Sequence, residues 1–321
     1  MTAMPYDALL VVSFGGPEGM DDVIPFLENV LRGRNVPRER MLQVARHYEL
    51  FGGVSPINQQ NRDLIAAVAR ELERNGPHLP IYWGNRNWRP LLPDTLHQMA
   101  SDGIENALAF VTAAYSSYSS CRQYLQNIAD AQADVGPRAP RVEKLRAFYN
   151  HPLFIEANVN HIREVIREVD SPASLVFTAH SIPESMAANC DYAAQLTETG
   201  GLIARELGVD RWQLVYQSRS GSPSQPWLGP DVCDHLKALR AGGSTNVVIA
   251  PIGFVSDHME VVYDLDVEAG RVCEEIGVRM VRARTAGTHP AFVRMVRELM
   301  LERIDNRVPP SICAPDCCRL G

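Results

Sequence analysis

The sequence predicts an α/β protein of two domains, in each of which helices flank a parallel β-sheet. Short apolar runs rich in Val, Ile and Phe alternate along the chain with longer segments of helical periodicity. That alternation is typical of parallel strands joined by crossover helices. The 321 residues also exceed the length of about 250–300 at which a single hydrophobic core usually divides.

Seven apolar runs are predicted to be strands, because a continuous run indicates a strand that is buried on both faces. They cover 8–13, 81–83, 107–112, 175–178, 213–216, 247–250 and 278–281. The clearer helical segments cover 62–74, 122–131, 152–169, 193–207, 231–241 and 290–304. Pro290 suits the first turn of the last of these helices.

A loop-like stretch, ADVGPRAP at 133–140, indicates where the two domains divide. We place an N-terminal α/β domain at 1–145, a C-terminal α/β domain at 146–289 and a cysteine-rich tail at 313–321. The helix at about 290–312 is a candidate to pack back on the first domain.

Composition excludes several classes of protein. Hydrophobic residues make up 45% and charged residues 21%, which excludes a disordered, collagen-like or coiled-coil chain. The net charge of -7 argues against a nucleic-acid partner. No signal-peptide pattern and no long apolar run occurs, so we expect a cytoplasmic protein without a transmembrane segment. Seven cysteines in a reducing compartment are not expected to form structural disulfides.

Polar residues follow the predicted strands, at the edge of an open α/β sheet where ligands bind. His180 leaves the strand at 175–178, and the segments 14–17, 217–219 and 251–254 follow other strands. If the strands are parallel, these segments line one cleft between the domains. His180 is then a base or metal ligand, or else a hydrogen-bonded core histidine, and position alone favours neither.

Three carboxylates recur every four residues after the strand at 247–250. If Glu260 begins a helix, then Glu260, Asp264 and Glu268 lie in one line on one helix face. Like charges at that spacing repel, so the line needs cations, protons or solvent. The pattern predicts a cation path or proton relay, with a solvated acidic face as the alternative.

The C-terminal tail carries three thiols, Cys313, Cys317 and Cys318. Such a group in a cytosolic chain indicates zinc or an iron–sulfur cluster, with free thiols on a frayed tail as the alternative. A fourth ligand has to come from elsewhere, and Cys121 and Cys190 are the candidates. Cys233 and Cys273 fall in helical segments and are expected to be buried packing residues.

Taken together in this order, a series of motifs resembles the ferrochelatases, which insert ferrous iron into a porphyrin. The motifs are SFGGP (13–17), RGR (32–34), YE (48–49), GGVSP (52–56), TAHSIPE (178–184), QS (217–218), PWLGPD (226–231) and GFVSDHME (253–260). The resemblance covers essentially the whole chain. It implies two Rossmann-like domains around a porphyrin cleft.

The resemblance also implies roles for individual residues. His180 takes pyrrole protons or presents iron, Glu260 is its carboxylate partner, and Asp264 and Glu268 extend the path to solvent. The resemblance also implies that the porphyrin contacts five residues, namely Phe14, Arg32, Tyr48, Ser55 and Tyr124. Phe14 cannot ligate iron, and Leu31 and His47 stand where some members of the family carry arginine.

Many members of the family carry a [2Fe–2S] cluster, and the resemblance implies that Cys313, Cys317 and Cys318 bind one here, with Cys121 preferred over Cys190 as the fourth ligand. It further implies coproporphyrin III and Fe2+ as the substrates, in haem biosynthesis. Protoporphyrin IX is the alternative porphyrin, and another metal such as cobalt is the alternative to iron as the metal substrate. A non-catalytic haem- or metal-binding module of two domains is the alternative of a different class.

Overall fold

The structure, a computed structural model, describes residues 4–33, 36–169, 172–220, 224–307 and 317–320. The chain divides into two compact units. Unit 1 holds the described residues of Met1–Thr112, Gln123–Arg146 and Val296–Ile312. Unit 2 holds those of Ala113–Arg122, Ala147–Met295 and Cys313–Gly321. Neither unit is one continuous stretch of sequence.

Unit 1 is built on a four-stranded parallel sheet. Its strands are β1 (Ala8–Ser13), β2 (Ile81–Asn85), β3 (Asn106–Val111) and β4 (Arg141–Lys144). They lie in the order β2-β1-β3-β4. Every residue of β1 is buried, as expected for a central strand that is covered on both faces.

Five α-helices accompany this sheet: α1 (Met20–Val30), α2 (Arg38–Glu49), α3 (Ile57–Asn75), α4 (Leu92–Ser101) and α5 (Gln123–Val135). The turn between α2 and α3 requires a glycine. Gly53 has φ +78°, and a Cβ atom there would lie 2.4 Å from the backbone nitrogen of Met20. This close approach helps to fix the position of Ser55, two residues later, whose N–H donates to the carbonyl of Pro17 at 2.9 Å.

Unit 2 repeats the architecture. Its strands are β5 (Ser174–His180), β6 (Trp212–Gln217), β7 (Asn246–Ala250) and β8 (Arg279–Arg282), all parallel and in the order β6-β5-β7-β8. The helices are α6 (Pro152–Ile166), α7 (Glu184–Ala187), α8 (Tyr192–Leu207), α9 (Val232–Ala241), α10 (Met259–Val261), α11 (Gly270–Ile276) and α12 (Pro290–Ile304), of which α12 contributes Val296 onward to unit 1. Tyr118–Arg122 and Val262–Ala269 are π-helical.

The PWLGPD motif starts helix α9. Its last residue, Asp231, is the N-cap, and one carboxylate oxygen accepts hydrogen bonds from the N–H groups of Cys233 at 2.8 Å and Asp234 at 3.4 Å. The carboxylate thus satisfies donors that have no partner inside the helix, and its charge suits the helix N-terminus. The helix then packs Val232 and Leu236 into the core of unit 2.

The predicted fold class is confirmed by these two parallel sheets with flanking helices. Of the eight strands in the described residues, seven lie within two residues of the predicted runs. The eighth, β4, was missed because its sequence RVEK contains a single apolar residue and is only partly buried. Helix α12 begins at Pro290 and ends at Ile304, as predicted.

Within the described residues, no helix combines the length and the apolar composition that crossing a bilayer requires.

Candidate active site

The site in unit 2 begins where the central strand β5 ends. His180 is the last residue of β5, and its side chain is 29% exposed. The ring Nδ1–H donates to the carbonyl of Ser181, which fixes the tautomer and leaves Nε2 to face Glu260. Nε2 lies 3.5 Å from Oε1 of Glu260. The hydroxyl of Tyr192 donates to the His180 carbonyl at 3.0 Å and so fixes the backbone as well.

Glu260 lies in the first turn of α10, directly after the segment that follows β7. Its backbone N–H donates to Nδ1 of His258, the N-cap of α10, at 3.2 Å. Its carbonyl accepts a hydrogen bond from Nε2 of Gln217, the last residue of β6, at 2.8 Å. Strand ends from β5 and β6 therefore hold His180 and Glu260 against each other, as expected for ligand sites of α/β sheets.

Charge couples the two side chains. Burial lowers the pKa of His180, but the Glu260 carboxylate and the Ser181 carbonyl outweigh burial and raise the pKa above the usual 6.5. The Glu260 side chain is 50% exposed, and the partial loss of water around it raises its pKa, but His180 and His258 outweigh this effect and hold the pKa below the usual 4.5. Burial also lowers the pKa of His258, and Glu260 does not offset that effect. At neutral pH the pair is an imidazolium and a carboxylate beside a neutral imidazole.

The pKa of Asp264 lies well above that of an aspartate in water. Burial raises its pKa, the Ser218 hydroxyl opposes this by donating to the carboxylate, and Glu260 and Glu268 raise the pKa further, to about 7. Ser218 holds this position with a left-handed backbone at φ +63°, which is uncommon for a residue other than glycine. Asp264 can therefore gain or lose a proton near neutral pH.

The three carboxylates lie on two kinds of helix. Glu260 lies in α10, as predicted, but Asp264 and Glu268 lie on the π-helical stretch Val262–Ala269. The segment is therefore not the single α-helix that was expected, because a π-helix closes its hydrogen bonds over five residues instead of four. Glu260 and Glu268 nevertheless lie near enough to raise the pKa of Asp264. Glu268 is exposed to solvent.

The TAHSIPE and PWLGPD motifs are joined by hydrogen bonds. The N–H of Leu228 donates to the carbonyl of Ile182 at 3.0 Å, and the Ser181 hydroxyl donates to the carbonyl of Leu228 at 2.7 Å. The N–H of Glu184 donates to the carbonyl of Pro226 at 3.1 Å. The PWLGPD segment thereby supports the loop that follows His180.

In unit 1, three of the predicted porphyrin-contacting residues are connected through Phe26 and Arg86. Phe14 and Tyr48 both pack edge-on against Phe26, with ring centroids 6.3 and 6.0 Å away. The guanidinium of Arg86 lies 5.6 Å from the ring centre of Phe14 and 4.6 Å from that of Tyr124. Tyr48 and Tyr124 are buried, and Phe14 is 36% exposed.

The other two predicted contacts in unit 1 differ in exposure. Ser55 is buried, and its side chain lies so close to Gly16 that a Cβ atom on Gly16 would be 2.7 Å from Cβ of Ser55. Arg32 is exposed in the turn that follows α1. Ser55 therefore packs against the SFGGP motif. The structure does not place Arg32 beside Phe14, Tyr48 or Tyr124.

Four cysteines of unit 2 lie in one neighbourhood. The sulfur atoms of Cys317 and Cys318 are 3.4 Å apart. Burial raises the pKa of Cys318, and Cys317, Cys121 and Cys190 raise it further, so their sulfur atoms lie within electrostatic range. Arg122, next to Cys121, donates to the Cys317 carbonyl at 3.4 Å. Cys313 lies outside the described residues.

The two remaining cysteines behave as predicted from their helical positions. Cys273 is buried in α11, Cys233 is half-buried in α9, and both pack in the core cluster of unit 2. Among the residues that the structure describes, no group of three or more His, Cys, Asp or Glu side chains has the arrangement of a complete metal site.

Sequence reasoning missed Arg86 and did not assign a role to His258. Arg86 directly follows β2, the same strand-end position that singled out His180, so a polar residue after a strand was the available signal. The contact of His258 with Glu260 depends on the N-cap geometry of α10, which the alternation of apolar and polar residues does not reveal.

The chain is similar to known proteins along nearly its whole length. The family model for Ferrochelatase matches residues 6–304. A Rhodopirellula baltica protein named Ferrochelatase is 56% identical over 328 residues, with 98% of this chain and 93% of the relative covered. A Streptomyces coelicolor protein named Coproporphyrin III ferrochelatase is 51% identical over 325 residues, with 94% of this chain and 87% of the relative covered.

A solved structure with the same fold is the sirohydrochlorin chelatase SirB from Bacillus subtilis subspecies spizizenii in complex with cobalt. It has a TM-score of 0.56 and 10% sequence identity, and the match covers 94% of this chain and 96% of that one. At so low an identity the likeness shows the fold alone. The family model and the two sequence relatives span nearly the whole chain, and the chain therefore belongs to the ferrochelatase family.

Proposed function

We propose that this member of the ferrochelatase family is a lyase that inserts Fe(II) into coproporphyrin III and yields iron coproporphyrin for haem biosynthesis. The observation that carries the proposal is the pairing of His180 Nε2 with Glu260 Oε1 at 3.5 Å, at the end of β5. The choice of porphyrin is supported by the relatives named Coproporphyrin III ferrochelatase, from Streptomyces coelicolor and Nocardia farcinica at 51% and 48% identity.

The reaction needs proton acceptors as well as a metal carrier. Fe2+ and a free-base porphyrin give the iron porphyrin and two protons, because both pyrrole N–H bonds break as the metal–nitrogen bonds form. His180 is mostly protonated at neutral pH, so it acts as a base only in the fraction of molecules that have lost this proton, and it then accepts a pyrrole proton at Nε2, the ring nitrogen that does not bond to Ser181. Glu260 then stabilises the imidazolium that results.

Asp264 is suited to carry protons away from His180. Its pKa of about 7 lets the carboxylate bind a proton and release it near neutral pH. Glu268 is exposed and lies close enough to raise the pKa of Asp264, so it forms the solvent end of the proton path from His180. Imidazole and carboxylate ligands also suit Fe(II), so the same groups can present the ion before transfer.

Anaerobic metallation with two porphyrins tests the proposal. With Fe(II) and coproporphyrin III, we expect multiple turnovers and the Soret shift of an iron porphyrin. With protoporphyrin IX, we expect slower metallation. Faster metallation of protoporphyrin IX would overturn the choice of porphyrin. Binding of one equivalent without turnover would instead support a non-catalytic haem- or metal-binding module.

We further propose that the cysteine group of unit 2 binds a [2Fe–2S] cluster. Soft thiolate ligands suit such a cluster, and Cys121, Cys190 and Cys317 each lie within electrostatic range of Cys318. Cys317 and Cys318 would serve with Cys313, and Cys121 remains our preferred fourth ligand because it is buried on the π-helical stretch Tyr118–Arg122. A [2Fe–2S] cluster supplies one-electron redox chemistry.

Replacing Cys318 with serine is expected to abolish the visible absorption of a cluster and to remove bound iron and sulfide, because the ligand set is then incomplete. Cys233→Ser, a half-buried thiol of α9, is the matched control and should retain all three. Comparison of Cys121→Ser with Cys190→Ser identifies the fourth ligand. Zinc without sulfide in the wild-type protein would contradict the cluster.

A further inference from the structure

Arg282 makes three hydrogen bonds to two aspartates that flank the site. It is the last residue of β8. Its Nε donates to Oδ1 of Asp266 at 2.5 Å and its Nη2 donates to Oδ2 at 2.8 Å, while Nη1 donates to Oδ1 of Asp257 at 3.2 Å. The Arg282 side chain is 15% exposed and that of Asp257 is 19% exposed, so both charges are largely withdrawn from water.

The two aspartates lie on either side of the residues that face His180. Asp257 directly precedes His258, the N-cap of α10. Asp266 lies on the π-helical stretch, two residues after Asp264. A π-helical stretch is rare and persists where its surroundings hold it, because the same residues could otherwise form an α-helix. One guanidinium thus connects both ends of the segment that carries Glu260 and Asp264.

The middle of the segment is held from a different strand. Gln217 at the end of β6 donates to the carbonyl of Glu260, and Ser218 donates to the carboxylate of Asp264. In the sheet order β6-β5-β7-β8, these contacts and those of Arg282 come from opposite edge strands. The two sets of contacts therefore constrain different parts of the segment, and neither replaces the other.

We propose that Arg282 is a positioning residue, which holds the segment 257–266 so that the Glu260 carboxylate stays opposite His180 and Asp264 stays on Ser218. This inference rests on the proposed function. The guanidinium is suited to the task because its planar fork binds one carboxylate with two parallel bonds and still reaches a second. A lysine supplies the charge but only a single point of attachment.

Kinetics and amide hydrogen exchange of the full-length protein test the inference. For Arg282→Gln we expect kcat to fall about 10–100-fold, since displacement of reacting groups by about 1 Å has an effect of that order. KM for coproporphyrin III should change less than about twofold, because the macrocycle itself does not contact Arg282 in the proposal. The kcat of Arg282→Lys should lie between the values for Arg282→Gln and for the wild type. Amide exchange should accelerate in 257–269.

Arg284→Gln is the matched control. Arg284 lies two residues after Arg282 and makes a single exposed ion pair with Glu164 at 2.7 Å. Removing such a surface pair has little effect on folding. We expect wild-type kcat and unchanged amide exchange in 257–269 for this variant, although the charge change is the same.

The double variant Arg282→Gln/Asp266→Asn tests whether the two residues act through their mutual contact. If both residues act through their mutual contact, the double variant should be no slower than the slower single variant. The inference is overturned if Arg282→Gln melts at a lower temperature but keeps the wild-type kcat, or if exchange in 257–269 is unchanged. Because hydrogen exchange needs no turnover, it still reports on Arg282 if the wild-type protein fails to metallate the porphyrin.

Discussion

Replacing His180 with alanine is expected to lower kcat for metallation by about 10²–10⁴-fold, the range typical for removal of a general base. The variant loses the ring nitrogen Nε2, which lies 3.5 Å from Oε1 of Glu260 in a ring whose orientation is fixed by the hydrogen bond to Ser181. Initial rates under anaerobic conditions, with circular dichroism to check folding, measure the effect.

His97→Ala is the control for this variant. His97 lies in unit 1, is about half exposed and pairs with Asp134 at 2.9 Å, so its removal tests the loss of an imidazole away from the site. We expect it to metallate at the wild-type rate. A folded His180→Ala protein with full activity would remove the basis of the proposed mechanism.

The second large effect is expected in the pH dependence of kcat/KM for the Glu260→Gln variant. His180 accepts a proton only when neutral, and the Glu260 carboxylate raises its pKa above 6.5. In the wild type, kcat/KM should therefore rise as the pH increases through this raised pKa. The glutamine variant lacks that negative charge, so His180 loses its proton at lower pH and the rise should move in the acidic direction.

The maximal rate of Glu260→Gln should also fall, by about 10-fold or more, because the imidazolium loses its stabilising partner. Complete pH–rate profiles of kcat/KM for both proteins check the shift, since this quantity reports the pKa values of the free enzyme. Glu268→Gln, at an exposed position, should leave the midpoint close to that of the wild type. A Glu260→Gln midpoint equal to that of the wild type would contradict the assigned coupling.

Burial on both faces made most of the fold predictable. Strands such as β1 and β7 are continuous apolar runs, and the structure buries all of β1 and all but the first residue of β7. The polar edge strand β4 gave no such signal. Helix α2 was not singled out, since it is strongly polar and buries only Met41, Ala45 and Tyr48.

The site was predictable where chemistry depends on position along one element. The end of a strand singled out His180 and the spacing of carboxylates singled out Glu260, but position left their roles open, and the resemblance to the ferrochelatases supplied them. The π-helical geometry was not predictable, because a carboxylate at every fourth residue suits an α-helix equally well. The neighbourhood of Cys121, Cys190, Cys317 and Cys318 depends on contacts between distant parts of unit 2, which no local pattern encodes.

The contacts of the PWLGPD segment separate two reasons why a motif can be shared within a family. The Asp231 carboxylate fixes where α9 starts, and the backbone of Leu228 exchanges hydrogen bonds with the loop after His180, so the contacts of both residues are structural. Agreement with a family motif thus measures inherited architecture as much as inherited reactivity. Assigning a reactive role to such a residue requires knowing what its side chain touches.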